Sequence, residues 1–219
     1  MKETLCIVDY GSGNLRSVAN ACDFVTNQSQ LPLDICVTSD PQKVQSADRV
    51  ILPGVGAFGD CRQGLMACPG MLEALQDVVL QQKKPFLGIC VGMQLLADVG
   101  HEHGDHKGLG WIPGEVHKLQ ENQGIKIPHM GWNTLTLTEK GQSHPIFAGL
   151  DATAQVYFVH SYAFTPRHED HILATTDYAQ TITAAIGHGN LVATQFHPEK
   201  SQDVGLRIMK NFLTWTPDK

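Results

Sequence analysis

Pro85-Phe86-Leu87-Gly88-Ile89-Cys90-Val91-Gly92-Met93-Gln94 leads an apolar run into a glycine-flanked cysteine and out into a helix-like stretch expected to reach Val99. A strand that turns sharply into a helix at Gly-x-Cys-x-Gly has the mechanics of a nucleophile elbow. The turn lifts the side chain out of the sheet, and the glycines let neighbouring backbone pass closely. A cysteine at a helix N-terminus also sits where negative charge is favoured. The bland alternative is a buried cysteine in a tight turn.

Upstream of this stretch, strand and helix alternate. Leu5 to Asp9 reads as an apolar strand, and Gly11-Ser12-Gly13-Asn14 turns the chain into a helix through about Asn27. Leu33 to Val37 and Arg49 to Leu52 read as strands, the second ending in Pro53-Gly54-Val55-Gly56, and Pro69 to Gln82 reads as helical. Such alternation argues for an open, twisted, mostly parallel sheet flanked by helices, an α/β fold. Right-handed crossovers then gather the loops after Asp9, Leu52 and Ile89 at the carboxyl edge of the strands, where open α/β sheets hold their ligands.

Downstream the pattern changes to an additional region of short strands. Glu115 to Leu119, Trp132 to Leu137, Gln155 to Tyr162, Ile172 to Thr176, Thr181 to Ile186 and Asn190 to Gln195 are the candidates, with Gly187-His188-Gly189-Asn190 as a hairpin turn. An amphipathic helix from about Ser201 to Trp215 closes the pattern, with Ser201 as its expected N-cap. No repeat or linker interrupts the chain, so residues 1–219 are expected to form one domain.

Gln195-Phe196-His197-Pro198-Glu199-Lys200 ends one of these strands. A lone histidine at a strand end more often caps backbone carbonyls. Here Glu199 stands two residues on and can fix the imidazole tautomer, leaving one nitrogen free for a thiol proton. Cys90, His197 and Glu199 are thus the minimum kit for cysteine-based acyl transfer. Backbone amides of Val91 and of the Val55-Gly56 segment are candidates for an oxyanion hole, worth about 3 kcal/mol per donor in hydrolytic enzymes.

The net charge of −6 over 219 residues, with no basic block, argues against a nucleic-acid partner. Apolar runs are too short to span a bilayer, so no membrane role is expected. The opening Met1-Lys2-Glu3-Thr4-Leu5-Cys6-Ile7-Val8-Asp9 reads as a strand rather than a signal peptide. Six cysteines without a CxxC pair or zinc-ribbon spacing suit a reducing cytoplasm. Gly100-His101-Glu102-His103-Gly104-Asp105-His106 is rich in histidine, but its turns impose no ligand geometry. Thiol chemistry needs no ion, so neither a metal nor a cofactor is expected.

Together the strings resemble the class I (triad) glutamine amidotransferases, and among them the glutaminase subunits of imidazole glycerol phosphate synthases. The resemblance rests on Asp9-Tyr10-Gly11-Ser12-Gly13-Asn14-Leu15, Pro53-Gly54-Val55-Gly56-Ala57-Phe58, the Cys90 elbow and Gly108-Leu109-Gly110-Trp111-Ile112-Pro113-Gly114. It continues through Pro128-His129-Met130-Gly131-Trp132-Asn133, Tyr157-Phe158-Val159-His160-Ser161-Tyr162 and the His197 string. The elbow and the His197 string mark the superfamily, whereas the strings at Asp9 and Pro128 are more specific. The resemblance implies a Cys90 nucleophile, a His197 base and acid, and a Glu199 orienter. It implies glutamine-holding positions at Gly56, Gln94, Glu102, Ser161 and Tyr162, with Glu102 receiving the α-amino group. Met130, Trp132, Tyr157 and Lys200 match positions near the interface or hinge with a (βα)₈-barrel cyclase subunit, the partner in a heterodimer that takes up the ammonia.

Other readings remain open at this level. Glutaminase subunits for vitamin B6 or aromatic synthesis lack the Asp9 and Pro128 strings, but a paralogue feeding a surface-sugar synthase keeps them. A stand-alone cysteine hydrolase would leave the Trp132 segment without purpose. An idle binding subunit would be expected to lose a triad member, and this chain keeps all three.

Overall fold

A computed structural model describes residues 2–121 and 125–217. Its first half builds β1 (Glu3–Val8), α1 (Leu15–Ser29), β2 (Leu33–Thr38), α2 (Pro41–Gln45) and β3 (Arg49–Gly54). Next come α3 (Phe58–Ala67), α4 (Met71–Leu75) continued by a π-turn through Gln81, β4 (Phe86–Cys90) and α5 (Val91–Gln94). The second half holds β5 (Val99–Gly100), β6 (His106–Lys107), β7 (Gly114–Lys118), β8 (His129–Thr134), β9 (Thr136–Leu137) and α6 (Glu139–Ser143). It ends with β10 (Gln155–His160), β11 (Tyr162–Pro166), β12 (Ile172–Asp177), β13 (Thr181–His188), β14 (Leu191–Thr194) and α7 (Gln202–Thr214).

The main sheet runs β2-β1-β3-β4-β14-β13-β12-β9. Strands β2 to β14 of that order pair in parallel, and the hairpin β13-β14 begins an antiparallel extension. Every residue of β3, β4 and β14 is buried, which is why these segments read as continuous apolar runs rather than alternating ones. Phe86, Leu52, Phe158, Phe196 and Phe212 are fully buried in the core. Each such side chain contributes about 1.5–3 kcal/mol. Arg49 is buried at the start of β3, where it pairs with Glu3 and donates to the Phe212 and Trp215 carbonyls at the C-terminal end of α7. A cation there satisfies orphan carbonyls and complements the helix dipole.

Several expected elements change shape. The helix after Cys90 stops at Gln94 instead of running to Val99. The carbonyls of Leu95, Leu96 and Ala97 are taken by the amides of Leu109 to Ile112, so they cannot continue a helical ladder. The span Trp132 to Leu137 divides into β8, which pairs with β10, and β9, which pairs with β12. The span Gln155 to Tyr162 breaks at Ser161, because β10 belongs to the two-stranded ribbon with β8 and β11 to a second sheet with β7. Ser201 does stand at the N-terminal boundary of α7, but its hydroxyl makes no cap. It donates to the His197 carbonyl and accepts from the Tyr157 amide. Helices α2, α3 and α6 are short and have no counterpart among the elements expected from sequence.

Candidate active site

Cys90 closes β4 with φ 55° and ψ −111°, a left-handed conformation that a non-glycine residue adopts only under constraint. The constraint is close packing. A Cβ on Gly92 would run into the Leu52 carbonyl oxygen, and one on Gly88 would sit 2.7 Å from the Gly92 carbonyl oxygen. Glycine at both positions lets the turn be this sharp, as the elbow reading requires. The cysteine is 4 % exposed and lines a cavity of about 610 Å³.

The two strands beside β4 deliver the remaining parts. On one side Gly54 is in register with Cys90, which sets Val55 and Gly56 beside the elbow. On the other side Thr194 is in register with Ile89, so the chain beyond β14 carries Gln195, Phe196 and His197 past the sulfur. His197 is 1 % exposed, and its Nδ1 hydrogen-bonds Glu199 Oε1 at 2.7 Å. That bond assigns the proton to Nδ1 and leaves Nε2 for other work. Nε2 is buried and lacks an aligned hydrogen bond among the described residues. Burial opposes the charged imidazole, but the Cys90 sulfur and the Glu199 carboxylate outweigh it and raise the His197 pKa to about 9. Cys90 and His197 line the same cavity, without an aligned hydrogen bond between them among the described residues, and such bonds are often loose in unliganded sites.

Gly56, Gln94, Glu102, Ser161 and Tyr162 all line the cavity with Val55, Val91 and Lys200. Gln94 uses its amide N–H groups internally, donating to the Tyr162 carbonyl at 2.9 Å and to Gln195 Oε1 at 3.0 Å. Glu102 has a second task, since its Oε2 accepts the Phe58 amide at the start of α3 at 2.8 Å. That helix has no side-chain cap of its own, and a carboxylate at its N-terminus supplies one from a distant loop. The other carboxylate oxygen of Glu102 makes no hydrogen bond among the described residues. Met130 and Trp132 are exposed (63 % and 45 %), and Trp132 meets the Tyr157 ring edge-on with centroids 6.0 Å apart. Both lie on the β8-β10 ribbon, whose His160 also faces the cavity.

Other contacts were not anticipated. Gln195, fully buried, lies with its amide nitrogen 3.7 Å from the Cys90 sulfur. Three side chains of the Asp9–Leu15 string reach the site: Tyr10 donates to the Pro53 carbonyl, Ser12 to the Val55 carbonyl and Asn14 to Glu199 Oε1. The string marked the resemblance without disclosing these roles, because its partners lie on remote segments. His129 and His160 share a hydrogen bond at 3.0 Å, and His160 Nδ1 contacts the Tyr162 carbonyl. Burial lowers their pKa values to about 4 and about 3, so both are neutral near pH 7.

With this geometry in view, comparison with known families is decisive. The family model for "Glutamine amidotransferase class-I" matches residues 6–215. The chain belongs to the class-I glutamine amidotransferases. Within this family it is 52 % identical to the imidazole glycerol phosphate synthase subunit HisH of Rhodospirillum rubrum, covering 97 % of this chain and 99 % of that protein. Identity to the subunit of the same name from Zymomonas mobilis is 51 %, covering 98 % and 97 %. The Brucella abortus HisH subunit is 50 % identical over 97 % of this chain and 99 % of its own. A crystal structure of a glutamine amidotransferase superposes with a TM-score of 0.69 at 18 % identity, covering 95 % of this chain and 96 % of that one. One from Thermotoga maritima gives 0.59 at 15 % identity, covering 91 % and 77 %. At those identities the structures attest the fold alone. For a class-I amidotransferase the expected α/β sheet is present, and among the described residues no helix is long and apolar enough to cross a membrane.

Proposed function

We propose that this chain is the glutaminase subunit of an imidazole glycerol phosphate synthase and that it cleaves glutamine through Cys90, His197 and Glu199. The observation that carries the reading is the register of β14 and β3 on either side of β4, which brings His197 and the Val55-Gly56 peptide to the elbow sulfur. Cys90 gives its proton to His197 and attacks the carboxamide carbon of glutamine. The Val91 amide and one from Val55 or Gly56 hold the tetrahedral oxyanion. His197 protonates the departing nitrogen, releasing ammonia and leaving a glutamyl thioester. Water activated by His197 then hydrolyses the thioester to glutamate. Throughout, Glu199 keeps the imidazole oriented and stabilises its charged form.

In the cavity Gly56, Gln94, Ser161 and Tyr162 surround the substrate, and the free oxygen of Glu102 complements the α-ammonium group. The exposed Met130 and Trp132, with Tyr157 against the Trp132 ring and Lys200 at the cavity, fit a docking face for a (βα)₈-barrel cyclase subunit. Ammonia passes to that subunit directly, since a protonated amine is no nucleophile. The same reading takes residues 1–219 as one glutaminase domain working in the cytoplasm. A paralogue serving a surface-sugar synthase shares this chemistry, and the barrel partner that restores synthesis separates the two.

The experiment uses Cys90→Ala in complex with the barrel subunit. Synthesis from glutamine disappears and synthesis from added ammonium salt persists. Equal loss of both activities refutes the assignment.

A further inference from the structure

The histidine-rich loop after β5 does not form a ligand set by itself, but its pairing partner completes one. β5 runs parallel to β7, with Val99 beside Glu115 and Gly100 beside Val116, and the His101 amide extends the ladder to the Val116 carbonyl. The pairing draws His101 against Glu115 and His117. The two imidazoles stack 4.6 Å apart, and both Nε2 atoms lie 3.1 Å from Glu115 Oε2. Asp105 Oδ1 meets the other nitrogen of His101, Nδ1, at 2.6 Å.

We propose that His101, Glu115 and His117 form a surface site for a borderline divalent transition cation of the zinc(II) type, with Asp105 orienting His101. A carboxylate only accepts, so the short bond to Asp105 puts a proton on His101 Nδ1. In the neutral ring Nε2 is then a bare lone pair, yet it faces a carboxylate oxygen. Two acceptors at 3.1 Å require positive charge between them, either a second proton or a cation. The hydrogen bonds from Asp105 and then Glu115 do raise the His101 pKa, so the proton is the cation's competitor. Geometry suits the metal as well: tetrahedral bonds of about 2.0 Å place donor atoms about 3.3 Å apart. The three donor atoms lie within 4.8 Å of one another. A carboxylate on the far nitrogen of a ligating histidine is the usual second partner at zinc sites. Two imidazoles and a carboxylate favour zinc over magnesium or calcium, which take oxygen ligands. His103 and His106, which made the loop look like a cluster in sequence, are not part of this set. The site lies outside the glutamine cavity and does not depend on the triad assignment.

The test is a titration of the full, untagged chain, freed of metal with a chelator, with zinc(II) and separately with cobalt(II). It is run at about pH 8, above the ordinary histidine range. One zinc binds per chain, and His101→Gln or His117→Gln weakens it at least tenfold. Asp105→Asn weakens it about tenfold through the lost orientation. Cobalt(II) shows visible bands without a sulfur-to-metal charge-transfer band, excluding the thiols as ligands. Asp105 and His117 are exposed and His101 is half-buried, none of them in the core, so circular dichroism of the variants matches the parent. No saturable binding, a charge-transfer band, or unchanged affinity in the His101→Gln/His117→Gln double variant overturns the site.

Discussion

The Tyr157 carbonyl accepts the His197 backbone amide at 3.0 Å, and the Tyr157 amide donates to Ser201, whose hydroxyl donates in turn to the His197 carbonyl. A residue of the exposed ribbon is therefore bonded on both its backbone groups to the segment bearing the proposed base. On the proposed docking of a partner at this ribbon, a movement of β10 would reach His197 through the direct Tyr157–His197 backbone bond.

Ser201 is 1 % exposed, so Ser201→Ala strands the Tyr157 amide in the interior. The variant loses about 1–3 kcal/mol of stability. It also loses part of the partner's stimulation of glutamine turnover. Urea denaturation and glutamine kinetics with and without the barrel subunit measure the two effects, and unchanged stimulation argues against the coupling.

Against the opposing effect of burial, the Cys90 sulfur and the Glu199 carboxylate raise the His197 pKa to about 9, and Glu199→Gln removes the second of them. Glutamine turnover falls on the order of a hundredfold or more, as in other triads deprived of their orienting acid. Stability changes with pH as well. A folded pKa above the unfolded 6.5 gives stabilisation that is complete below pH 6.5 and lost as pH rises through about 9. The variant loses less stability than the parent across that window in urea denaturation.

Gln195 stands between the Cys90 sulfur and Gln94. Placing a carboxylate beside the sulfur opposes the thiolate, so Gln195→Glu slows alkylation of Cys90 by a glutamine-like chloroketone on the order of tenfold. Gln195→Leu slows it less. Equal rates for the two variants would assign Gln195 to packing alone.

Ser12 Oγ holds the Val55 carbonyl at 2.7 Å, with the Cys61 sulfur on the same oxygen at 3.3 Å. The peptide joining Val55 to Gly56 cannot rotate until that oxygen is released, and Gly56, at φ 98°, permits the rotation. Ser12→Ala should raise glutamine turnover in the isolated subunit several-fold and change the partner-stimulated rate little. An unchanged basal rate tells against this lock.

His144 accepts the Ile146 amide through Nδ1, and burial, helped by Lys140, lowers its pKa to about 4. Between pH 4 and 6.5 the unfolded chain binds the proton that the folded chain refuses. The His144 contribution to stability is therefore complete above about 6.5 and declines as pH falls toward 4. His129, also lowered to about 4, contributes in the same direction. His144→Asn keeps an acceptor for Ile146 without a titrating ring, and the acid slope of the urea midpoint becomes shallower. An identical slope would remove His144 from the acid response.

The sequence by itself determined the elbow at Cys90, the parallel core strands and the pairing of His197 with Glu199. Each of these is local: apolar runs of strand length, glycines where backbone must pass closely, and two side chains two residues apart. It could not show that Gln195 touches the sulfur, that Asn14 reaches Glu199, or that Glu102 caps α3, because those contacts join segments up to 185 residues apart. Nor did it show where strands change sheets, since Ser161 and Leu135 carry no turn signal and the break is imposed by partners on β7 and β12. The helix after Cys90 is shorter than expected for the same reason, as the carbonyls of Leu95, Leu96 and Ala97 that would have continued it are claimed by residues 109–112. Tertiary structure alone decided the registers of β3 and β14 on β4, for strand order depends on which apolar faces pack together, and local pattern carries no record of that.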